Sequence, residues 1–235
     1  NIAIGEDALK ENTNGHRSVA IGYKAGQYGA YDQMGDNVFI GHEVASTGYT
    51  SVDNVIIGSY AGKNLGGTST NSYGNTYGNV FLGATSGLKT DNAYENIAIG
   101  RSAFNYNVSG NRNISIGYHS GPKEAETNLS NRLYIGNGWS DSIRGKNSFI
   151  YGDMTAGSEE LVINAKVGIG TTTPGTKMEI NGNNELLRLK YSSRGWITFY
   201  EGSTNKGLFG PRNSANGNIY LTAYGGHVIL QETGE

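Results

Sequence analysis

The sequence predicts an all-β fold: a repetitive parallel β-roll or β-prism solenoid, assembled as an elongated homotrimer and followed by a small β module. Three observations predict it. First, the phrase Ile2-Ala3-Ile4-Gly5 returns in near-copies nine more times before residue 171, the last two being Phe149-Ile150-Tyr151-Gly152, which is degenerate, and Val167-Gly168-Ile169-Gly170. Second, successive motif glycines stand 17, 19, 17, 25, 17, 17, 19, 16 and 18 residues apart, the drifting period of an architecture in which each repeat is one rung. Third, each phrase is an apolar-x-apolar triplet with a period of two and many β-branched residues, which favours a strand over a helix.

A rung this short holds two short strands and two turns, one coil of a solenoid. It is too short for a strand-helix-strand unit of roughly thirty residues. The glycines Gly5, Gly22, Gly41, Gly58, Gly83, Gly100, Gly117 and Gly136 end the strands and turn the chain. Only two aliphatic side chains per triplet share a face, and the rest of the repeat is Gly, Ser, Thr, Asn, Tyr and Ala, so one chain encloses a thin interior. The aliphatics that need a partner are Ile2, Ile4, Val19, Ile21, Val38, Ile40, Val55, Ile57, Val80, Leu82, Ile97, Ile99, Ile114 and Ile116. Three such stripes meeting on one axis would bury them, which predicts a parallel homotrimer with these residues as its core.

Two smaller patterns accompany the triplet. Three residues after the glycine stand Ala8, Ala25, Ala61, Ser86, Ala103 and Ser120, with Val44-Ala45 as the variant, so only a small side chain fits there. Directly before the triplet stand Asn1, Asn37, Asn54, Asn79, Asn96 and Asn113, with Ser18 and Ser148 as substitutes and Arg132 as the exception. These asparagines either form an amide ladder, each bonding to the next, or simply tolerate the turn before a strand.

Along the chain, residues 1–170 are the repeat array. The spacing of 25 between Gly58 and Gly83 places an insertion of about eight residues in the polar stretch from Gly66 to Gly78, where solenoids loop outward. A smaller excursion runs from Gln27 to Gly35. After Gly121, Pro122 to Thr127 breaks the pattern, and Tyr134, Phe149 and Tyr151 predict wider packing. Residues 171–235 form a linker through Pro174 and a different β unit: Met178 and Ile180 before Asn181-Gly182, a strand at Trp196 to Tyr200, an alternating run at Asn218 to Tyr224, and a Gly225-Gly226 turn into His227 to Leu230. At about sixty residues this unit is marginal alone. The chain starts inside a repeat without Met and stops on Thr233-Gly234-Glu235, so it reads as a segment of something longer.

Composition narrows the function. Charged residues are 16% with a formal net charge of −2, unlike the clustered Lys and Arg of a nucleic-acid surface. With no cysteine there is neither a disulfide nor a thiolate metal site. No apolar run has the eighteen or so residues of a membrane helix, and no insertion into a membrane is expected. The glycines, 37 of 235 residues, follow no three-residue period, which excludes collagen.

No catalytic motif is visible. His16, His42, His119 and His227 are scattered without metal-ligand spacing, and Asp153, Glu159 and Glu160 lie in a loop with no pattern for glycoside hydrolysis. No catalytic residue, metal or cofactor is expected. The sixteen tyrosines offer apolar rings with polar tips beside Asn and Ser, which suits sugar recognition or simply covers the outside of the coils. Tyr73 and Tyr77 in the insertion, with Tyr28 and Tyr31 in the smaller excursion, are the candidate glycan contacts.

The phrases Ser18 to Gly26 and Asn54 to Gly62 resemble the head repeats of trimeric autotransporter adhesins and similar repeats in bacteriophage tail fibres. Val167 to Pro174, with Lys177 to Gly182, is similar to a tail-fibre junction that precedes further β modules and an endosialidase-type chaperone domain, and Trp196 to Thr204 resembles those modules. The resemblance implies a left-handed parallel β-roll, three chains per fibre, and binding to host or bacterial surface glycans. The repeats here run longer than the adhesin norm. The expected function is therefore a structural and receptor-binding segment of a trimeric tail fibre, on a virion or extracellular surface. Its partners would be itself, a bacterial surface glycan or receptor, and other tail or fibre segments. The alternatives are the head of a trimeric autotransporter adhesin and the non-catalytic part of a glycan-degrading tailspike.

Overall fold

The computed structural model describes residues 1–28, 35–47, 51–66, 76–138, 144–182, 197–201, 203–211 and 219–223. The chain divides into two compact units, Asn1–Val167 with Gly175–Lys177, and Gly168–Pro174 with Met178–Glu235.

In the first unit every early triplet is a strand: β1 (Ile2–Ile4), β2 (Val19–Ile21), β3 (Val38–Ile40), β4 (Val55–Ile57), β5 (Val80–Leu82), β6 (Ile97–Ile99), β7 (Ile114–Ile116) and β8 (Arg132–Ile135). They pair in sequence order, parallel and in register, Ala20 opposite Phe39 and Phe39 opposite Ile56 for example. The result is a parallel β-solenoid of about seven turns, with no α-helix among the described residues. Below, coil n is the coil that carries βn.

Alternation along each triplet decides what is inside. The middle residues Ala20, Phe39, Ile56, Phe81, Ala98, Ser115 and Tyr134 are fully buried at 0% exposure, whereas their neighbours point away from the coil. The small residues three places after each glycine close the interior from the other side, with Ala25, Val44, Ala61, Ser86 and Ala103 all at 0%. Leu65 and Phe104 complete this core.

The corners need unusual backbone. Two residues after each motif glycine, Asp7, Lys24, Glu43, Tyr60, Thr85, Ser102 and His119 all adopt left-handed φ values of 48° to 58°. For a non-glycine residue that costs about 1–2 kcal/mol. Coil-to-coil hydrogen bonds offset the cost, because from Lys24 onward the N–H at each such position donates to a carbonyl of the preceding coil: Lys24 to Glu6 (2.9 Å), Tyr60 to His42 (2.8 Å), His119 to Arg101 (2.9 Å). The motif glycines stack so closely that a Cβ on Gly58 would stand 2.5 Å from the carbonyl of Gly83, and its φ of +139° excludes ordinary side chains as well. Close approach thus explains the glycine column.

The asparagines form the amide ladder. Asn37, Asn54, Asn79, Asn96 and Asn113 are fully buried. The Oδ1 of each accepts both the backbone N–H and the Nδ2–H of the next: Asn54 to Asn37 at 3.0 and 3.1 Å, Asn79 to Asn54 at 2.9 and 3.0 Å, Asn113 to Asn96 at 3.0 Å twice. Each Nδ2 also reaches a carbonyl across its coil, as Asn79 does to Ala93 at 2.9 Å and Asn96 to Gly110 at 3.0 Å. Asn79 bonds to Asn54 across the 25-residue spacing, so the inserted stretch leaves the stack unbroken; its residues 67–75 lie outside the described ones.

The last two motif copies do not continue the coil. The ninth gives β9 (Ile150–Asp153), which pairs antiparallel to β8, and β10 (Glu160–Ile163) pairs antiparallel to β9. Reversal sets Tyr134 directly opposite Tyr151, ring centroids 5.7 Å apart, and the two bulky rings close the interior at this end. The Tyr134 hydroxyl has no hydrogen-bond partner among the described residues, and burial pushes its phenol well above the ordinary tyrosine range. The tenth copy forms β11 (Val167–Ile169), which joins β12 (Met178–Ile180) in a two-stranded sheet.

In the second unit β13 (Ile197–Glu201), β14 (Thr204–Pro211) and β15 (Ile219–Ala223) make a three-stranded antiparallel sheet with β14 in the middle. The stretches after Gly182 and after Ala223, where the sequence suggests turns, lie outside the described residues.

Candidate functional site

Among the described residues, the outward face of β1–β8 carries the only aliphatic residues that recur in every coil and are not sealed inside it. Ile2, Ile4, Val55, Ile57, Ile99 and Ile116 are 36% to 57% exposed, and Val19, Ile21, Val38, Ile40, Val80, Leu82, Ile97 and Ile114 are half-buried. In-register pairing stacks them into two adjacent columns. At about 4.8 Å per strand the stripe is on the order of 34 Å long. The sequence reading placed these residues on one face, and the structure puts them together there. It also shows that the chain has a second apolar set, the middle residues of the triplets, which the sequence reading did not single out.

Polar columns border the stripe on both sides. On the side where the strands begin stand Arg17, Asp36, Asp53, Gly78, Glu95, Arg112 and Asn131, two places before each apolar triplet. On the side where they end stand Glu6, Tyr23, His42, Ser59, Ala84, Arg101, Tyr118 and Asn137, directly after each motif glycine. Within the first column Arg17 clamps Asp36 with Nε to Oδ1 at 2.5 Å and a second guanidinium nitrogen to Oδ2 at 2.6 Å, which holds the Asp36 carboxyl below the usual carboxylate range. Arg112 bonds Glu95 at 2.9 Å. Beside the second column the Lys63 ammonium pairs with Glu43 at 2.6 Å and lowers that carboxyl in turn.

Aromatic rings also stack from coil to coil. Tyr23, His42 and Tyr60 follow one another at centroid distances of 5.1 Å, with Lys24 and Lys63 each 5.0 Å from a tyrosine ring. Tyr77 lies parallel to Tyr94 at 4.9 Å and 7°, and the Arg112 guanidinium sits 5.4 Å from the Tyr94 ring. One face of Tyr77 is therefore occupied by a neighbour, and the ring presents its edge, hydroxyl and remaining face at 36% exposure. Tyr28 is 40% exposed. Tyr31 and Tyr73 lie outside the described residues.

At the far end of the stripe a cleft of about 610 Å³ is lined by Ile116, Ile135 and Phe149, with Asn137, Asn147 and Asn164 at its rim. Next to it the Arg144 side chain is buried, its Nε donating to the Gly138 carbonyl and a terminal nitrogen 2.7 Å from His119 Nδ1. Since a guanidinium only donates, His119 Nδ1 accepts, and burial with the nearby Arg144 and Arg101 charges pulls the imidazole below its ordinary value. Among the described residues no three His, Asp, Glu or Cys side chains converge as a metal site. Comparison of the chain with protein-family models, with curated proteins and with solved structures found no match.

Proposed function

We propose that this chain is a structural and receptor-binding segment of a trimeric fibre, of the tail-fibre kind its repeats resemble, in which three solenoids share the aliphatic stripe as a common core. The observation that carries the reading is the continuous outward stripe on eight parallel strands. A coil that seals Phe39, Ile56 and Phe81 inside itself has no structural use for a second aliphatic set on its outside. Exposed contiguous apolar surface rimmed by polar residues is the anatomy of an interface. Each half-exposed aliphatic whose burial is completed contributes on the order of 1 kcal/mol. Summed along the stripe, that outweighs an association cost of roughly 4–15 kcal/mol.

A stiff rod built this way presents the outer corners of its coils to solvent, where Tyr28 and Tyr77 supply ring edges and hydroxyls for a surface glycan or receptor. Sedimentation of the intact chain is expected to give three times the 25.0 kDa chain mass, and a well-folded monomer would overturn the shared-core reading. Glycan-array binding that weakens in Tyr77→Ala would support the receptor role; an array with no signal from the intact trimer would leave only the shaft.

A further inference from the structure

The two polar columns that border the stripe match each other coil by coil, and we infer that they fix how copies of this chain associate: parallel, in register, the strand-start edge of one against the strand-end edge of the next. The inference rests on the shared-core reading above and deepens it, because a stripe of repeated Val and Ile is almost the same at every height and cannot by itself choose a register.

In any closed ring of parallel copies, rotation without translation brings the strand-start edge of one copy to the strand-end edge of its neighbour at the same height. Paired by coil, these are Arg17 with Tyr23, Asp36 with His42, Asp53 with Ser59, Gly78 with Ala84, Glu95 with Arg101, Arg112 with Tyr118 and Asn131 with Asn137. Two cations meet aromatic rings. Two carboxylates meet a base, a third meets a hydroxyl, and an amide meets an amide. The one position with no side chain on the first edge faces the smallest side chain of the second. No like charges meet.

Other arrangements fail this comparison. A slip of one coil in one direction brings Arg17 to Glu6 and Asp53 to His42 but sets Arg112 against Arg101 and leaves Glu95 opposite Ala84; in the other it sets Asp53 against Ala84 and strands Arg101 opposite Gly78. An antiparallel pair centred on the stack sets Arg17 against Arg112 and Asp36 against Glu95. Like charges across an interface disfavour a wrong partner more than good pairs strengthen the right one, so the columns act chiefly on register. Arg101 is exposed and has no carboxylate partner among the described residues of its own chain, which leaves it available to the neighbour's Glu95.

The chain has no cysteine, so paired cysteines can report the register. In the full chain carrying Asp53→Cys and Ser59→Cys, the two thiols of one copy stand roughly 15–20 Å apart along an extended strand, too far for a disulfide within the chain. Oxidation is expected to give a covalent trimer on a denaturing gel. Asp53→Cys alone should give no covalent dimer, and Asp53→Cys with Ala84→Cys no trimer. Cross-linking in either of those two, or a trimer by sedimentation that the 53–59 pair fails to cross-link, would overturn the register while leaving self-association standing. A monomer by sedimentation would remove both. Arg101→Glu, which sets a carboxylate against the neighbour's Glu95, should raise the concentration at which the oligomer dissociates about tenfold or more, and in a chain that also carries Glu95→Gln most of that rise should disappear; an unchanged dissociation in Arg101→Glu would count against the pairing.

Discussion

In the fifth coil the strand supplies the bulk, Phe81, and the turn supplies Gly87; in the sixth the strand supplies Ala98 and the turn supplies Phe104. All of this fills one continuous interior, since Phe81, Ala98 and Phe104 are sealed to 1% exposure or less. The first and fourth coils repeat the contrast, Ala3 with Leu9 and Ile56 with Gly62. In the second coil both positions are small, Ala20 and Gly26, and the ring of Phe39 from the next coil takes the space, where a Cβ on Gly26 would stand 2.7 Å from it. In no coil are both positions large: either the strand or the turn supplies the side chain, or, in the second and seventh coils, neither does. The two choices are unequal in backbone cost, because Phe104 holds a left-handed φ of 58° that Phe81 in its strand does not.

Removing the ring from the strand should have the largest effect. Phe81→Ala is expected to lower stability by about 3–5 kcal/mol in denaturant unfolding, the usual range for a buried phenylalanine. Phe104→Gly should cost about 1 kcal/mol less than that, since it also releases the left-handed strain. The double change Phe81→Ala with Gly87→Phe converts the fifth coil to the pattern of the sixth and should recover part of the loss; a double variant less stable than Phe81→Ala alone would refute the exchange of volume. Gly87→Ala alone should cost about 2–3 kcal/mol, because its Cβ would enter the Phe81 ring at a position of φ +58°.

The asparagine ladder is the same in both coils and separates packing from hydrogen bonding. Asn96→Ala deletes the acceptor for the Asn113 N–H and Nδ2–H and leaves the Asn79 Oδ1 with fewer donors, all of them buried. The expected loss is about 2–4 kcal/mol, from unsatisfied groups more than from lost contact area. Asn96→Ser should do better than Ala, since Ser18 already fills this position and its hydroxyl oxygen accepts from the Asn37 N–H at 3.3 Å. Equal stabilities for the two variants would mean that the ladder does not depend on the acceptor.

Much of this was legible from the residues alone. The period gave the rungs, and its constancy in triplet, glycine and asparagine marked positions where each coil meets the next. The volume exchange was not legible, because no single column shows it: the middle of the triplet reads Ala, Ala, Phe, Ile, Phe, Ala, Ser, and only comparison with the fourth residue after the glycine gives it meaning. Reversal at β9 was hidden for a related reason. Phe149-Ile150-Tyr151-Gly152 matches the motif as a string, yet its Gly152 faces Leu133 in β8 instead of stacking on Gly136. For the candidate site, the stripe could be read from alternation, whereas the two edge columns vary in residue type and emerge only once the coils are aligned.

The smallest expected effect contrasts the fifth and sixth coils with the seventh. Two places after the glycine, Thr85 and Ser102 share a hydroxyl hydrogen bond of 2.7 Å, which no accessible pH alters. The same place in the seventh coil holds His119, whose Nδ1 accepts from Arg144. The folded chain favours neutral His119, so its folded pKa lies below the unfolded value of about 6.5. The stabilisation is complete above that unfolded value and is lost as pH falls from there through the folded pKa, where protonation places a cation against Arg144. The carboxylates held low, Asp36, Glu43 and Asp153, titrate beneath this window and do not mask it. Unfolding midpoints of the intact chain should therefore decline between pH 7.5 and the folded His119 pKa, by less than either core substitution. His119→Gln, whose amide oxygen can still accept from Arg144, should flatten that decline; an undiminished slope in the variant would assign the pH dependence to another group.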